Sequence, residues 1–276
     1  MALSLGLVLS GGIAKGAYQI GFLKALSENK SFDVTAVSAA SIGTLNSYAF
    51  CTGKIGLAED IWRSVSGCSV SGLYLKYLKG KEIYSLVDMV RADDDVISAP
   101  LYTVCWIPPQ PRARYYLINE KPVDGIVEYL KASVTVAPIM EPLTINGKYH
   151  FDGAIIDNVP LLPLKHYRPD LIISLQFDRF DYAYRSFTPP CPVLYVDLQD
   201  GHRLMDSFSL GGNAVDRMIS YGYEVGDYTL TLIEKRADDR ERLHLLIDMM
   251  NCGQKKGRLS GDMVVRKINR ICQKLK

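Results

Sequence analysis

The spacing of apolar residues changes twice within the first fifty positions, and each change predicts a strand followed by a helix. Leu5 to Leu9 form a continuous apolar run, as expected for a central strand of a parallel sheet that is covered on both faces. Val34 to Ser38 form a second short run, and apolar residues recur at helical spacing after Ser41. Two strand-to-helix corners are therefore predicted at the start of the chain. Because the carboxyl ends of adjacent parallel strands border a crevice, these corners are expected to lie where ligands bind.

Apolar spacing predicts further helices and strands along the chain, and one hairpin. Asn146-Gly147 marks the hairpin, because this dipeptide is typical of a type I′ turn. Residues 57 to 130 show the least clear pattern. Their many aromatic side chains are interpreted as core and strand residues, with an acyl channel or an interfacial lip as the alternative. The predicted helices are Gly56 to Val65, Lys81 to Val90, Leu161 to Tyr167, Asp206 to Ile233 with a break or bend near Gly222 and Gly226, Arg240 to Met250, and a last one within residues 264 to 275; the predicted strands are Leu171 to Phe177 and Val193 to Leu198.

The chain is interpreted as one domain over residues 1–276. Its length is sufficient to bury a large core, and the sequence contains no internal repeat or linker. We expect the core to cover residues 5–235 and a basic helical extension to cover residues 236–276. Residues 255–276 carry eight Lys and Arg against one acid. The last helix is expected to dock on the domain with its basic face in solvent, and contact with an anionic membrane is the alternative.

A glycine-rich turn follows the first predicted strand. Residues 10–16 read SGGIAKG, and a turn of this kind at a helix start presents unpaired N–H groups to an anion. The P-loop pattern fails because Ala17-Tyr18 follow Gly16, and the dinucleotide-binding pattern fails because Ile13 stands where it requires glycine. A nucleotide-binding module is therefore disfavoured. A glycine turn that binds no ligand stays open as an alternative.

The second corner has the layout of a nucleophile elbow, in which a serine sits on a sharp turn between strand and helix. The usual pattern is G-x-S-x-G, and residues 39–43 read AASIG. Gly43 is in place, whereas Ala39 adds one methyl group at a crowded position. Plain packing of small residues is the alternative interpretation of this motif alone.

A third motif, Asp152-Gly153-Ala154, completes an ordered set with the glycine turn and the serine corner. Together the three motifs resemble the patatin-like phospholipase family of serine acyl hydrolases. The resemblance implies an α/β fold, a single-domain three-layer sandwich with a mostly parallel central sheet. It also implies that Ser41 is the nucleophile and Asp152 the base that accepts its proton.

The resemblance further implies an oxyanion hole built from backbone N–H groups of the glycine turn. Its donors would be Gly11, Gly12 and Ile13, and Ile13 replaces the third glycine of the family. Supporting roles fall to Lys15, Gly16, Gly43 and Gly153. Lys15 is expected either to lean toward the oxyanion or a lipid phosphate, or to pair with a nearby acid. Gly153 is expected to let the backbone turn so that the neighbouring carboxylate points into the cleft.

A Ser-His-Asp triad is not favoured, although the chain contains four histidines. The α/β-hydrolase fold places several strands ahead of its elbow, and only one strand is predicted before Val34. His150 lies two residues before Asp152 and is the one histidine that would share a strand face with it.

Composition limits the function classes. Hydrophobic residues make up 48% and charged residues 22% of the chain, and a net charge of +2 gives no indication of nucleic-acid binding. Six cysteines without a C-x-x-C pair indicate a reducing compartment. A signal peptide begins with basic residues, whereas no basic residue precedes Lys15. No uncharged run approaches the roughly 18 residues that span a bilayer. We expect a cytoplasmic protein with peripheral membrane contact left open.

The predicted substrate is a phospholipid or a related acyl lipid, and no cofactor or metal is implied. Asp93-Asp94-Asp95 is interpreted as a solvated turn rather than a metal site. The alternative function is a catalytically silent relative that binds acyl chains or a partner. It is motivated by Ala39 and Ile13, the two departures from the family glycines.

Overall fold

The computed structural model describes residues 2–65, 82–177, 188–198 and 213–252. Within these ranges, eight strands form one sheet: β1 (Leu3–Leu9), β2 (Phe32–Ala39), β3 (Leu101–Trp106), β4 (Ala113–Leu117), β5 (Leu143–Ile145), β6 (Lys148–Asp152), β7 (Leu171–Gln176) and β8 (Val193–Asp197). The helices are α1 (Gly16–Glu28), α2 (Ile42–Cys51), α3 (Ile55–Ser64), α4 (Ile83–Val90), α5 (Val123–Ser133), α6 (Ala214–Glu234) and α7 over residues 240–252.

The sheet is parallel at its centre and antiparallel at one side. Its order is β5-β6-β3-β2-β1-β7-β8, and β4 pairs with β3 off this path. The pairs β1–β2, β1–β7, β2–β3 and β7–β8 are parallel, whereas β4 and β6 run antiparallel to β3. A central strand buried on both faces explains the uninterrupted apolar run of β1.

The two faces of the sheet pack against different layers. One face contributes Leu7 and Leu9 to a large cluster with the helices, while the other contributes Val8 and Ile172 to a smaller cluster with the segment around Leu164. Leu164 belongs to a short 3-10 helix, Leu162–His166, within the predicted helix over residues 161–167. The α/β fold with a mostly parallel central sheet is confirmed.

Helices α1 and α6 pack against each other closely enough to require glycine at their contact. A Cβ atom on Gly222 would lie 2.0 Å from the Tyr18 carbonyl oxygen, and one on Gly226 would lie 3.0 Å from Cβ of Ala25. Helix α6 is continuous through both glycines. The predicted helix therefore has no break there, and both glycines allow the close packing of α6 on α1.

The predicted hairpin is confirmed. Asn146 and Gly147 join β5 to β6 with φ values of 50° and 69°, as a type I′ turn requires.

The predicted solvated turn over Asp93-Asp94-Asp95 is wrong for Asp95. The Asp95 side chain is only 7% exposed and accepts a hydrogen bond of 2.8 Å from the Tyr48 hydroxyl. It also forms an ion pair with Lys54. Asp95 thus anchors buried structure, and no metal-binding cluster occurs among the described residues.

Packing continues past residue 235, because Leu243 and Ile247 of α7 belong to the large cluster. Residues 206–212 and the predicted last helix lie outside the described residues. Within the described ranges, none of the helices has the length and apolar character needed to cross a membrane.

Candidate active site

The two predicted corners meet at one edge of the sheet. The last residues of β1 and β2, Leu9 and Ala39, are register partners in adjacent parallel strands. The glycine turn follows one and the serine corner follows the other. They are so close that a Cβ atom on Gly11 would lie 2.6 Å from Cβ of Ser41. Glycine is therefore needed where the turn passes the serine.

Ser41 occupies a strained backbone conformation between β2 and α2. Its φ of 52° and ψ of −134° are rare for a residue with a side chain and cost on the order of 1–3 kcal/mol. Gly43 lets α2 start directly above the end of β1, since a Cβ atom there would lie 2.8 Å from the Leu9 and Ser10 carbonyl oxygens. This strand-turn-helix geometry is what a nucleophile elbow requires.

Strand β3 brings Asp152 to the same edge. Thr103 pairs with Ala39 of β2, and two residues later Cys105 pairs with Asp152 of β6. Strand β4 pairs with one edge of β3 over this stretch. On the other edge, β2 pairs with the first residues of β3 and β6 pairs with the last ones. The carboxyl group thereby arrives just beyond the end of β2, beside the serine corner.

Gly153 follows because the chain turns close to β3. A Cβ atom on Gly153 would lie 2.7 Å from the Val104 carbonyl carbon. The residue begins a short 3-10 helix, Gly153–Ile155, without a positive φ. Glycine is therefore required by this close approach to β3.

Burial and hydrogen bonding act in opposite directions on Asp152. Burial raises the pKa of Asp152 to about 7, while hydrogen bonds with the Ser41 side chain and the Ala154 N–H lower it. The Ala154 N–H donates to Oδ1 of Asp152 over 2.9 Å. A carboxylate with a pKa near neutrality beside a hydroxyl group can act as a general base.

The glycine turn offers two N–H groups rather than three. The Gly11 N–H donates to Oδ1 of Asn158 over 2.8 Å, so the expectation that it binds an oxyanion does not fit this geometry. Among the described residues, the N–H groups of Gly12 and Ile13 have no acceptor. Ile13 adopts a φ of 50°, although it carries a side chain. An isoleucine thus takes the left-handed conformation at the position of the family's third glycine.

Lys15 and Gly16 lie at the start of α1. The Lys15 ammonium is 5.9 Å from the centroid of the Phe177 ring, which is cation–π distance, and the side chain is buried. Its two predicted roles stay predictions. A Cβ atom on Gly16 would lie 2.6 Å from the Trp62 ring, so glycine permits the packing of α1 on α3.

His150 makes its hydrogen bonds away from the serine. Its Nε2 lies 3.1 Å from the Tyr116 hydroxyl and its Nδ1 lies 2.9 Å from the Lys148 carbonyl oxygen. Burial lowers the pKa of His150. Both ring nitrogens are therefore engaged within the hairpin region. His202 lies outside the described residues.

Asn158, Asp157 and Tyr115 take part in the site region without having been assigned a role from the sequence. The Tyr115 hydroxyl donates to Oδ2 of the buried Asp157 over 2.6 Å. Burial raises the pKa of Asp157, and the hydrogen bond from Tyr115 lowers it. The run IIDNVP over residues 155–160, directly after the Asp152 motif, is the sequence signal that could have pointed to Asp157 and Asn158.

The comparison with protein families is decisive for identity. The model of the patatin-like phospholipase family matches residues 7–165, more than half of the chain. The chain belongs to the patatin-like phospholipase family. The matched region of this patatin-like chain includes the glycine turn, Ser41 and Asp152.

Curated relatives of this patatin-like chain are much longer proteins. It is 26% identical over 187 residues to the lysophospholipase NTE1 of Eremothecium gossypii, and the alignment covers 59% of this chain and 11% of that protein. It is 29% identical over 180 residues to the lysophospholipase NTE1 of Cryptococcus neoformans, and the alignment covers 58% of this chain and 10% of that protein. The match thus spans about a tenth of these relatives' length. Among solved structures, VipD from Legionella pneumophila aligns with a TM-score of 0.46 and 14% identity, covering 83% of this chain and 67% of that one.

Proposed function

We propose that this chain is a lipid acyl hydrolase that cleaves ester bonds of phospholipids or related acyl lipids through Ser41 and Asp152. The observation that carries the proposal is that the buried Asp152 carboxyl group lies within interaction distance of the Ser41 side chain. Membership of the patatin-like phospholipase family supports a lipid substrate. The names of the curated relatives support lysophospholipids as the first substrates to try.

In the first step, Ser41 Oγ attacks the ester carbonyl carbon while its proton passes to the Asp152 carboxylate. Negative charge then develops on the carbonyl oxygen, and the N–H groups of Gly12 and Ile13 supply donors for it. The amino end of α2, directly after the serine, adds a favourable dipole. Collapse of this intermediate breaks the ester C–O bond, and the leaving alcohol takes the proton from Asp152.

In the second step, water replaces the alcohol. Asp152 accepts a proton from the water as its oxygen attacks the acyl-enzyme, and the fatty acid leaves as Ser41 recovers its proton. A carboxylate in water is a weak base for a hydroxyl group. Burial raises the pKa of Asp152 to about 7 and so makes it a stronger base that remains largely deprotonated above neutrality.

The catalytically silent alternative was motivated by two replaced glycines. The methyl group of Ala39 lies in the buried core without interrupting the pairing of β2 with β1 and β3, so this replacement does not favour the alternative. Ile13 remains as its motive, since its side chain is 40% exposed beside the serine corner.

A fluorophosphonate probe separates the two functions, because it labels only an activated serine. Wild type is expected to be labelled and Ser41→Ala is not. Ser47→Ala is the matched control, since Ser47 is a buried serine on α2, the helix that follows Ser41, and its hydroxyl makes no hydrogen bond in the described structure. Release of fatty acid from lysophospholipid and diacyl phospholipid vesicles, measured by mass spectrometry, then identifies the substrate class. An unlabelled wild type without fatty-acid release would favour the silent binder.

A further inference from the structure

Asn158 binds both polar groups of a single backbone residue in the glycine turn. Its Oδ1 accepts the Gly11 N–H over 2.8 Å, and its Nδ2 donates to the Gly11 carbonyl oxygen over 3.2 Å. Two hydrogen bonds between one amide side chain and one residue fix both position and orientation. The turn is thereby tied to the segment that follows Asp152.

Gly11 is held from two sides. A Cβ atom there would meet Cβ of Ser41 at 2.6 Å and Oδ1 of Asn158 at 2.8 Å. The backbone of the turn is thus wedged between the serine corner and the amide. Because Gly12 and Ile13 follow directly, the direction of their N–H groups depends on how Gly11 is held.

The segment that carries Asn158 is itself fixed by other contacts. The N–H groups of Ile156 and Asp157 both donate to the Gly153 carbonyl oxygen over 2.9 Å. The Asp157 side chain accepts from the Tyr115 hydroxyl on β4. None of these contacts uses the Asn158 amide, so Asp152 is expected to keep its place when that amide is removed.

We propose that Asn158 is a positioning residue for the hydrolysis: its amide holds Gly11 so that the N–H groups of Gly12 and Ile13 meet the oxyanion. The inference rests on the proposed function and adds a residue to it. It also explains why the turn needs only two donors, since the third N–H serves to hold the turn. A displacement of such donors by about 1 Å can lower a rate by roughly 10²-fold.

Asn158→Ala tests the inference, with two matched controls. Asn251 also accepts from one backbone N–H and donates to one carbonyl oxygen, on two residues of β8: the Tyr195 N–H (3.0 Å) and the Val193 carbonyl oxygen (2.9 Å). Asn119 makes such a pair of bonds at the amino end of β3, from the Leu101 N–H (2.8 Å) and to the Ala99 carbonyl oxygen (3.1 Å). Asn251→Ala and Asn119→Ala remove equivalent hydrogen bonds away from the serine corner, so they report the cost of losing such a clamp in general.

With p-nitrophenyl butyrate as substrate, Asn158→Ala is expected to lower kcat by about 10²-fold at unchanged KM. The pH midpoint of kcat is expected to stay at its wild-type value, because Asp152 is not displaced. Fluorophosphonate labelling should slow by a similar factor, since the adduct places its phosphoryl oxygen in the same hole. Both controls should keep wild-type kcat even where they lower the melting temperature. Asn158→Asp keeps the size and one acceptor but turns an oxygen toward the Gly11 carbonyl, and it should lose as much kcat as the alanine variant.

A kcat for Asn158→Ala within about threefold of wild type would overturn the inference, as would a kcat loss that the controls share. A moved pH midpoint would place the effect at Asp152 and overturn it too. Increased hydrogen exchange in the peptide that contains Gly11, measured by mass spectrometry in folded Asn158→Ala, is the expected structural counterpart. Failure of the proposed function looks different: wild type itself would then neither turn over the ester nor react with the probe, and both proposals would fall together.

Discussion

The Asp152 carboxyl group lies within interaction distance of the Ser41 side chain, although one residue ends an antiparallel hairpin strand and the other follows a parallel strand. They meet because β6 continues the edge of β3 at which β2 stops. The carboxyl group is buried at this point, and burial raises the pKa of Asp152 to about 7. This one contact therefore links both activity and stability to pH.

The first prediction concerns the pH dependence of hydrolysis. Because the base must be deprotonated to accept the serine proton, kcat/KM is expected to rise with pH, with a midpoint near the pKa of Asp152, which burial raises to about 7. Initial rates with p-nitrophenyl butyrate between pH 5 and 9, corrected for spontaneous hydrolysis, provide the measurement. A midpoint near about 4, the ordinary value for an aspartate, would show that the base is solvated.

The second prediction is that Asp152→Asn stabilises the fold while it removes activity. The pKa of Asp152 is raised on folding, so folded wild type binds a proton that the unfolded chain releases, and its stability falls as pH rises between about 4 and 7. The neutral asparagine avoids this cost. The gain should be on the order of a few kcal/mol at pH 8 and much smaller at pH 4. Urea unfolding at both pH values tests it, and an equal difference at the two would contradict it.

The third prediction separates a glycine that is needed for packing from one that is not. Gly222→Ala places a methyl group where a Cβ atom would lie 2.0 Å from the Tyr18 carbonyl oxygen, and it should destabilise the fold by about 2 kcal/mol or more. Gly56→Ala on α3 is the control, because nothing lies within 4 Å of its Cβ position. It should be neutral or stabilising by up to about 1 kcal/mol. Thermal unfolding of the two variants beside wild type is the measurement, and equal melting temperatures would refute the packing argument.

The sequence predicted those parts of the site whose geometry is determined by residues that are adjacent in the chain. The change from strand to helical spacing and the small residues around Ser41 predicted both corners, because a sharp turn needs them in sequence order. Asn146-Gly147 predicted the hairpin for the same reason, since its φ values depend on the dipeptide itself. Local geometry was thus legible without knowledge of the rest of the chain.

The parts that were missed depend on partners distant in sequence. Strands β3 and β4 lie in the aromatic-rich region without a clear period, yet β3 is the strand that aligns Asp152 with the serine corner. Asp95 follows two other aspartates and resembles a solvated turn, but Tyr48 and Lys54 bind it from elsewhere in the fold. Asn158 gains its contact only because Gly11 is brought beside it.

The last prediction concerns the acid that neighbours Asn158 in the chain. Tyr115→Phe removes the hydroxyl that donates to the buried Asp157 over 2.6 Å, which should cost about 1–3 kcal/mol of stability. Burial raises the pKa of Asp157 and the Tyr115 hydrogen bond lowers it, so the variant raises that pKa further. A carboxyl group whose pKa is higher in the folded state than in the unfolded chain lowers the free energy of unfolding as pH rises.

The difference between wild type and Tyr115→Phe should therefore be small at pH 4 and grow toward pH 8. Tyr149→Phe is the control, because Tyr149 is 60% exposed on β6 and its hydroxyl makes no hydrogen bond in the described structure. Urea unfolding at pH 4, 6 and 8 provides the comparison. The backbone hydrogen bonds from Ile156 and Asp157 to Gly153 still hold the segment that carries Asn158, so kcat should change far less in Tyr115→Phe than in Asn158→Ala. A stability loss that is the same at every pH would mean that the hydroxyl acts through packing and not through the charge of Asp157.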